Sequence, residues 1–319
     1  MLRYLSEQDV RGLLTMTDAL ECVEQAMKAR ALGRAVDVPR VRTRIPEGTQ
    51  HVLQAAAPDL GYIGFKYYYT TPRGKSMYVH LMRIADAKLE AIIAADWMGI
   101  MRTGAASGVA SKHLAVKGAS VLAQLGAGRQ GVGQLEAVCR ALGIRQVRVY
   151  ARTRDRLEAW CREQAQRLGI EVVPASSAPA ALDGAHVVNV ITKSATPVLH
   201  GDWLQPGQHI NAAGSNALNR VELDETAVKR CDLVTVDSRG TAANECGDLL
   251  AAAERGWLQW EALPEIGEII AGRAPGRTSN RQITLYESHG MGIQDLYVCA
   301  RLLALAREHG VGADLPIGG

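Results

Sequence analysis

The sequence predicts an α/β chain in which a doubly wound parallel sheet is joined to an N-terminal α+β domain, and three observations carry that expectation. Between Ser120 and Gly143 the apolar run Val121-Leu122-Ala123-Gln124-Leu125 enters a glycine turn, Gly126-Ala127-Gly128-Arg129-Gln130-Gly131, and leaves it in a helical pattern from Val132 onward. After a second apolar run, Gln146-Val147-Arg148-Val149-Tyr150, helical and extended stretches alternate, which is the signature of parallel strands joined by helical crossovers. Ahead of this region, from Val36 to Ala95, the apolar period is two rather than 3.6, as expected of antiparallel strands.

In chain order, Ser6 followed by Asp9, and Thr17 ahead of Ala19-Leu20-Glu21-Cys22-Val23, are expected helix caps, and Gly33 ends the second helix. Turn signals at Pro46-Glu47-Gly48, Pro58-Asp59-Leu60-Gly61, Pro72-Arg73-Gly74 and Asp86-Ala87-Lys88 divide residues 36–95 into five short strands. A small-residue helix over 97–114 follows, and its Gly and Ala content suggests close packing at the crossing between domains. Beyond Tyr150 the pattern predicts a helix over 154–168, a strand at Glu171-Val172-Val173, a short helix, strands over 186–191, 209–213 and 233–236, and a helix over 249–253. A final amphipathic helix over 293–309 places Leu296, Cys299, Ala300, Leu303 and Ala306 on one face and is expected to return to the first domain. The expected division is a substrate and dimerisation domain, 1–111 with 290–319, and a nucleotide domain, 112–289.

Composition narrows the function class. With 319 residues, 47% apolar and 22% charged, the chain has the makeup of an ordinary globular protein long enough for two cores. The net charge of +3 is small and the two signs are interspersed, so neither nucleic acid nor an anionic membrane is an expected partner; a small molecule is. Six cysteines without a CxxC pair fit reduced thiols, and eight histidines show no metal-ligand spacing, so no metal site is expected. The first residues, Met1-Leu2-Arg3-Tyr4-Leu5-Ser6-Glu7, meet charge too soon for a signal peptide, and a cytoplasmic location is expected.

The glycine turn carries the first chemical assignment. Gly126 permits a tight turn, Gly128 lets backbone amides approach a pyrophosphate, and Gly131 lets helix and strand pack closely, so an anionic dinucleotide would meet the positive end of the helix in a Rossmann unit. The second strand ends Tyr150-Ala151-Arg152-Thr153, where an NAD site would place an acidic residue against the ribose hydroxyls. Arg152 and Thr153 instead offer a guanidinium and a hydroxyl to a 2′-phosphate, which favours NADP over NAD.

Three arginines in Arg40-Val41-Arg42-Thr43-Arg44 share one strand face, either as a solvated edge or as forked donors for a carboxylate. Lys66, in Gly64-Phe65-Lys66-Tyr67-Tyr68, has aromatic neighbours that would partly dry its ammonium, and Arg102-Thr103 stands just ahead of the nucleotide strand.

Together these segments resemble the ornithine cyclodeaminase and mu-crystallin family over almost the full chain. The resemblance rests on Arg42-Thr43, Gly64-Phe65-Lys66, Arg102-Thr103-Gly104-Ala105-Ala106-Ser107, Leu125-Gly126-Ala127-Gly128-Arg129-Gln130, Gly214-Ser215-Asn216 before Glu222-Leu223-Asp224, Val236-Asp237-Ser238 before Glu245-Cys246-Gly247-Asp248, Glu265-Ile266-Gly267 before Gly272-Arg273, and Gly290-Met291-Gly292-Ile293-Gln294-Asp295. It implies a homodimer and an NAD(P)-dependent oxidoreductase, with Arg42, Lys66 and Arg102 holding a substrate carboxylate and Arg40 competing with Arg42. It also implies cofactor contacts from Thr103, Gly126, Ala127, Gly128, Arg129, Gln130, Arg152, Thr153, Thr192, Ser215 and Ser288.

Members of the family cyclise ornithine to proline, reduce imines of 2-oxo acids, dehydrogenate alanine, or bind cofactor without turnover. In the cyclodeaminases an aspartate that resembles a general base stands where this chain has Asn216. An amide cannot take up a proton at neutral pH, so reduction of a small 2-imino acid is the expected chemistry, with Lys66, Arg102 and Asn216 as the catalytic set. Ornithine cyclodeamination and non-catalytic NADP binding are the alternatives, and the extra cations at Arg40 and Arg44 make a dicarboxylic imino acid a candidate substrate.

Overall fold

The structure, a computed structural model, describes residues 2–316. The first unit opens with β1 (Leu2–Leu5), α1 (Glu7–Leu13) and α2 (Met16–Ala31). Ser6 caps α1 in a reciprocal box with Asp9, and Thr15, not Thr17, does the same for α2 with Asp18. Thr17 lies inside the first turn of α2 with helical backbone, whereas a cap must come from the extended residue just ahead of the helix, which is Thr15. Then come β2 (Val36–Ile45), β3 (Gly48–Ala57), β4 (Tyr62–Thr71), β5 (Gly74–Arg83) and β6 (Leu89–Ala94), followed by α3 (Asp96–Leu114). Four of these five strands are ten residues long, so they are not short: the turns sit where expected, and the alternation runs uninterrupted between them.

The second unit runs β7 (Val121–Leu125), α4 (Arg129–Leu142), β8 (Gln146–Tyr150), α5 (Leu157–Leu168), β9 (Glu171–Pro174), α6 (Ala178–Leu182), β10 (Val187–Val190) and β11 (His209–Ala212). It continues through α7 (Glu225–Arg230), β12 (Leu233–Val236), α8 (Arg239–Glu245), α9 (Leu250–Glu254), α10 (Ile266–Ile270) and β13 (Thr284–Glu287). The first unit resumes with α11 (Gly292–Glu308) and β14 (Ala313–Leu315). Two compact units result, one comprising the residues up to Arg102 and from Gly290 on, the other Thr103–His289. The break falls inside α3, between Arg102 and Thr103, rather than at 111/112.

In the first unit, seven strands lie in the order β14-β1-β6-β5-β4-β3-β2. Residues on its inner face, among them Leu53, Ala55, Val79, Leu81 and Ile93, are buried, and α11 packs across β2 to β5 and against α2. The opposite face is apolar and open: Val36, Val38, Val41, Ile45 and Ile63 stay 40–57% exposed, next to Phe65, Tyr67, Tyr78 and His80.

In the second unit, seven parallel strands are ordered β12-β13-β11-β10-β7-β8-β9. Alternate residues feed two apolar clusters, Ala123, Leu125, Val188 and Ile210 in one and Leu122, Val147, Val149 and Val187 in the other. The chain leaves β7 toward β8 and β9 and resumes at β10 on β7's other side, so the strand order reverses between β7 and β10. In such sheets ligands bind beyond the carboxyl ends of the strands at that reversal. Among the described residues no helix is long and apolar enough to cross a membrane.

Candidate active site

The inner face of the first sheet gathers the expected carboxylate-binding residues. Lys66 on β4 turns inward and is only 1% exposed. Its Nζ donates to Asp295 Oδ1 at 2.8 Å and lies 2.7 Å from Oδ2. Asp295 sits in the first turn of α11, where the helix dipole favours negative charge. Arg102, on α3, places Nε 2.8 Å from the same Asp295 Oδ1, and its Nη1 donates to Gln294 Oε1 at 3.2 Å. One carboxylate therefore bridges two buried cations. Burial pushes Lys66 down to about 7; the Arg102 charge adds to the shift, and Asp295 opposes it.

Gly290 makes room for this arrangement. Its φ of +83° is left-handed, and a Cβ there would lie 2.4 Å from Arg102 Nη1. Gly290→Ala is expected to cost about 1–3 kcal/mol from backbone strain and to push the guanidinium out of place. A urea midpoint equal to that of the native chain would show that the position tolerates a side chain.

The arginines of β2 occupy the same face. Arg40 lies within the bulge between Val38 and Val41, and its charge reaches Lys66. Arg42 pairs across the ladder with His51, which pairs with Tyr68. Both arginines are half-buried, whereas Arg44 is exposed at the strand end. The His51 ring stacks on Tyr68 at 4.2 Å and 8°, and Lys66 Nζ lies 5.9 Å from the Tyr68 ring centre. Burial, then Arg40, Arg42, Arg44 and Lys66, hold His51 down to about 4 and therefore neutral at physiological pH.

In the second unit the glycine turn has the geometry its residues suggest. Gly126 has φ +118°, and a Cβ would lie 2.3 Å from Ile191 O; one on Gly131 would lie 2.9 Å from Gly126 O. Gly128 caps α4 with open space where its side chain would be. The turn is also held from beneath: Gln124 Nε2 donates to Gly126 O and Gly131 O, both at 3.1 Å. Gln124 is in turn bonded by Asn189, and Asn189 by Asn211, in a buried amide ladder across β7, β10 and β11.

Around the turn lie the other residues expected to meet a cofactor. Arg129 is exposed and Ala127 half-buried at the start of α4, while Arg152 and Thr153 are exposed directly after β8. Thr103 O accepts from Gln134 Nε2 at 3.1 Å. Thr192, after β10, donates to Glu222 Oε1 from N at 2.7 Å and from Oγ1 at 2.6 Å, and a Cβ on Gly214 would lie 2.2 Å from Glu222 Oε2. Glu222 thus ties together the loops after β10 and β11, and burial pushes it up to about 7. Ser215 Oγ donates within its own loop to Ala217 O at 3.2 Å, and Asn216 is half-buried beside it. Among the described residues Gln130 Oε1 and Ser288 Oγ are buried without a hydrogen-bond partner, as groups that meet a polar ligand often are. The open helix end, the glycine cradle and these two atoms fit a dinucleotide.

Three residues escaped the sequence reading. Asp295 and Glu222 entered only as members of the segments that carry the resemblance, with no role assigned, and neither they nor Gln124 gave a signal of their burial. Cys246, distant in sequence from Glu287 and His289, brings its ligating atom within 4.8 Å of theirs, and the Cys246 thiol donates to the Glu287 carboxylate.

The sequence profile of the ornithine cyclodeaminase/mu-crystallin family matches residues 3–306. The chain belongs to this family. Among solved structures, Δ1-pyrroline-2-carboxylate reductase from Thermococcus litoralis, determined with NADH and L-proline, is 30% identical with a TM-score of 0.93, covering 98% of this chain and 100% of that one. An archaeal alanine dehydrogenase dimer with bound NAD is 29% identical with a TM-score of 0.92, covering 99% of both chains. Iminosuccinate reductase from Paracoccus denitrificans, with NAD+, is 26% identical with a TM-score of 0.92, again covering 99% of both. These relatives of the cyclodeaminase/crystallin family share NAD(H) and small amino or imino acids, which sets the class of ligand against which the cluster around Lys66 is to be judged.

Proposed function

We propose that this chain is an NAD(P)H-dependent reductase that converts a small 2-imino acid to the amino acid, or runs the reverse dehydrogenation. The observation that carries the reading is the buried Lys66–Asp295–Arg102 cluster. Arg102, with Arg40 or Arg42, offers forked donors to a substrate carboxylate. A lysine held near 7 exchanges a proton readily at neutral pH, so Lys66 can protonate the imine nitrogen. The nicotinamide, when bound, supplies the hydride. With one proton from Lys66 and one hydride, C=N becomes CH–NH and the atoms and charges balance. Asn216 orients by hydrogen bonding; as an amide it supplies no base for ornithine cyclisation.

The backbone amides at the start of α4, with Gly126, Gly128 and Gln130, would hold the pyrophosphate, and Ser288 would contact the rest of the dinucleotide. Arg152 and Thr153 support NADP as the preferred form. Arg152→Asp is then expected to weaken NADPH by about 1.5–3 kcal/mol and NADH much less, measured by fluorescence titration. Equal losses would remove the assignment. The open apolar face of the first sheet supports a homodimer formed through those strands, and the absence of disulfides among the described cysteines fits a cytoplasmic location.

The test is consumption of NADPH or NADH with a panel of 2-oxo acids plus ammonia or methylamine, and with cyclic ketimines. Oxidation with one or more imines is expected. Cofactor binding without oxidation across the panel would support a non-catalytic binding protein instead, and proline formed from ornithine would support a cyclodeaminase.

A further inference from the structure

We infer that the inner face of the first sheet carries a second anion subsite, formed by Arg42 and His51 beside Tyr68, which takes the distal carboxylate of a short dicarboxylic 2-imino acid. The inference rests on the reaction proposed above and names the substrate class it would serve.

The strand register separates two groups of donors. Lys66 and Tyr68 are two residues apart on β4 and face the same way, so their rows lie roughly 6.6 Å apart along the strand. The first row has Lys66, with Arg102 at its carboxylate partner and the Arg40 charge close by. The second row has Arg42 opposite His51 and His51 opposite Tyr68. Each row contains a side chain suited to a carboxylate, and long arginine stems can close the gap between rows onto a short diacid.

Charge makes the same distinction. Arg40, Arg42, Arg44 and Lys66 all act on His51, while Asp295 is occupied between Lys66 and Arg102. A ligand with two negative charges suits such a face, and the cationic side chain of a diamine would be repelled there. His51 adds a specific donor. Its Nδ1 is buried without a hydrogen-bond partner among the described residues, and the stack on Tyr68 fixes the ring plane. In the tautomer protonated at Nδ1, the neutral imidazole donates to a carboxylate with no pairing cost elsewhere.

Calorimetry with succinate and butyrate in the presence of NAD+ tests the subsite without turnover. Succinate is expected to bind at least roughly tenfold tighter than butyrate, and Arg42→Gln should bring the two within about twofold, since a charge-assisted hydrogen bond would be lost. His51→Phe keeps the aromatic stack and removes the donor, so it should reduce the succinate preference partway. Equal binding of the two acids by the native chain, or a preference unchanged in both variants, would overturn the inference. In the kinetic arm, oxaloacetate with ammonia should outpace pyruvate with ammonia in kcat/KM, and Arg42→Gln should lower that ratio. Succinate preference with no NAD(P)H oxidation on any imine would keep the subsite and remove the reaction reading; oxidation of monocarboxylic imines alone would do the reverse.

Discussion

Replacing Lys66 with Met should lower kcat for imine reduction by roughly 10²- to 10⁴-fold, the range for losing a positioned proton donor. The same group sets the pH profile. Lys66 titrates near 7 because burial and Arg102 outweigh Asp295. The donating form is the ammonium, so kcat should fall as pH rises through about 7. Asp295→Asn removes the one neighbour that raises the Lys66 value, and the descending limb should move to lower pH. A kcat independent of pH between about 6 and 9, or a Lys66→Met enzyme within tenfold of the native one, would take the proton transfer away from this residue.

The second large effect concerns stability. Asp295→Ala would leave the Lys66 ammonium and the Arg102 guanidinium buried without the carboxylate that bridges them, and breaking a buried pair in this way costs about 3–5 kcal/mol. The sign of the pH dependence follows from the lysine. Its folded pKa lies below the unfolded value, so the unfolded chain binds more protons between them, and stability rises with pH above about 7. The variant should be most destabilised at pH 6 and recover toward pH 9, as Lys66 loses its proton. Adding Lys66→Met to Asp295→Ala should restore part of the loss, most at pH 6 and least at pH 9, because the buried charge it removes is present mainly at the lower pH. Urea midpoints across that pH range decide the matter. An Asp295→Ala chain as stable as the native one would mean that the cluster is not a coupled unit.

How far the sequence could be read depended on how local the determining physics was. The glycine turn, the strand before it and the helix after it are fixed by neighbours in sequence, and they appear where Gly126, Gly128 and Gly131 place them. The hairpins of residues 36–95 likewise follow from turn residues and an alternating period. β1 and β14 were missed because three or four residues are too few for a period, and β13 because Thr284 and Glu287 interrupt the apolar pattern of a strand that is nonetheless wholly buried. α7, α8 and α10, each five to seven residues, are too short to show helical periodicity. The predicted helix over 154–168 begins only at Leu157, after a turn in which Leu157 N bonds Arg154 O.

The candidate site divides the same way. Lys66 and Arg102 were reached through the family resemblance, since a mid-strand lysine or an arginine ahead of a small-residue helix is by itself a surface residue. Their shared partner was hidden, because Asp295 lies 229 residues from Lys66 in the chain and only tertiary packing brings them together. Glu222 and the Gln124 ladder were hidden for the same reason: a polar residue in a strand or loop does not declare in sequence whether it will be buried.

The central claim is that hydride and proton are delivered across an imine C=N bond. It is tested most directly by incubating the protein with an imine substrate and NADPH or NADH deuterated at the transferable C4 position, then reading the amino acid product by mass spectrometry. A single deuterium at the α-carbon is the expected result, and with Lys66→Met the amount of labelled product at matched times should fall by roughly 10²- to 10⁴-fold. Amino acid formed without α-deuterium from either face of the labelled cofactor, or no amino acid at all, would contradict the account.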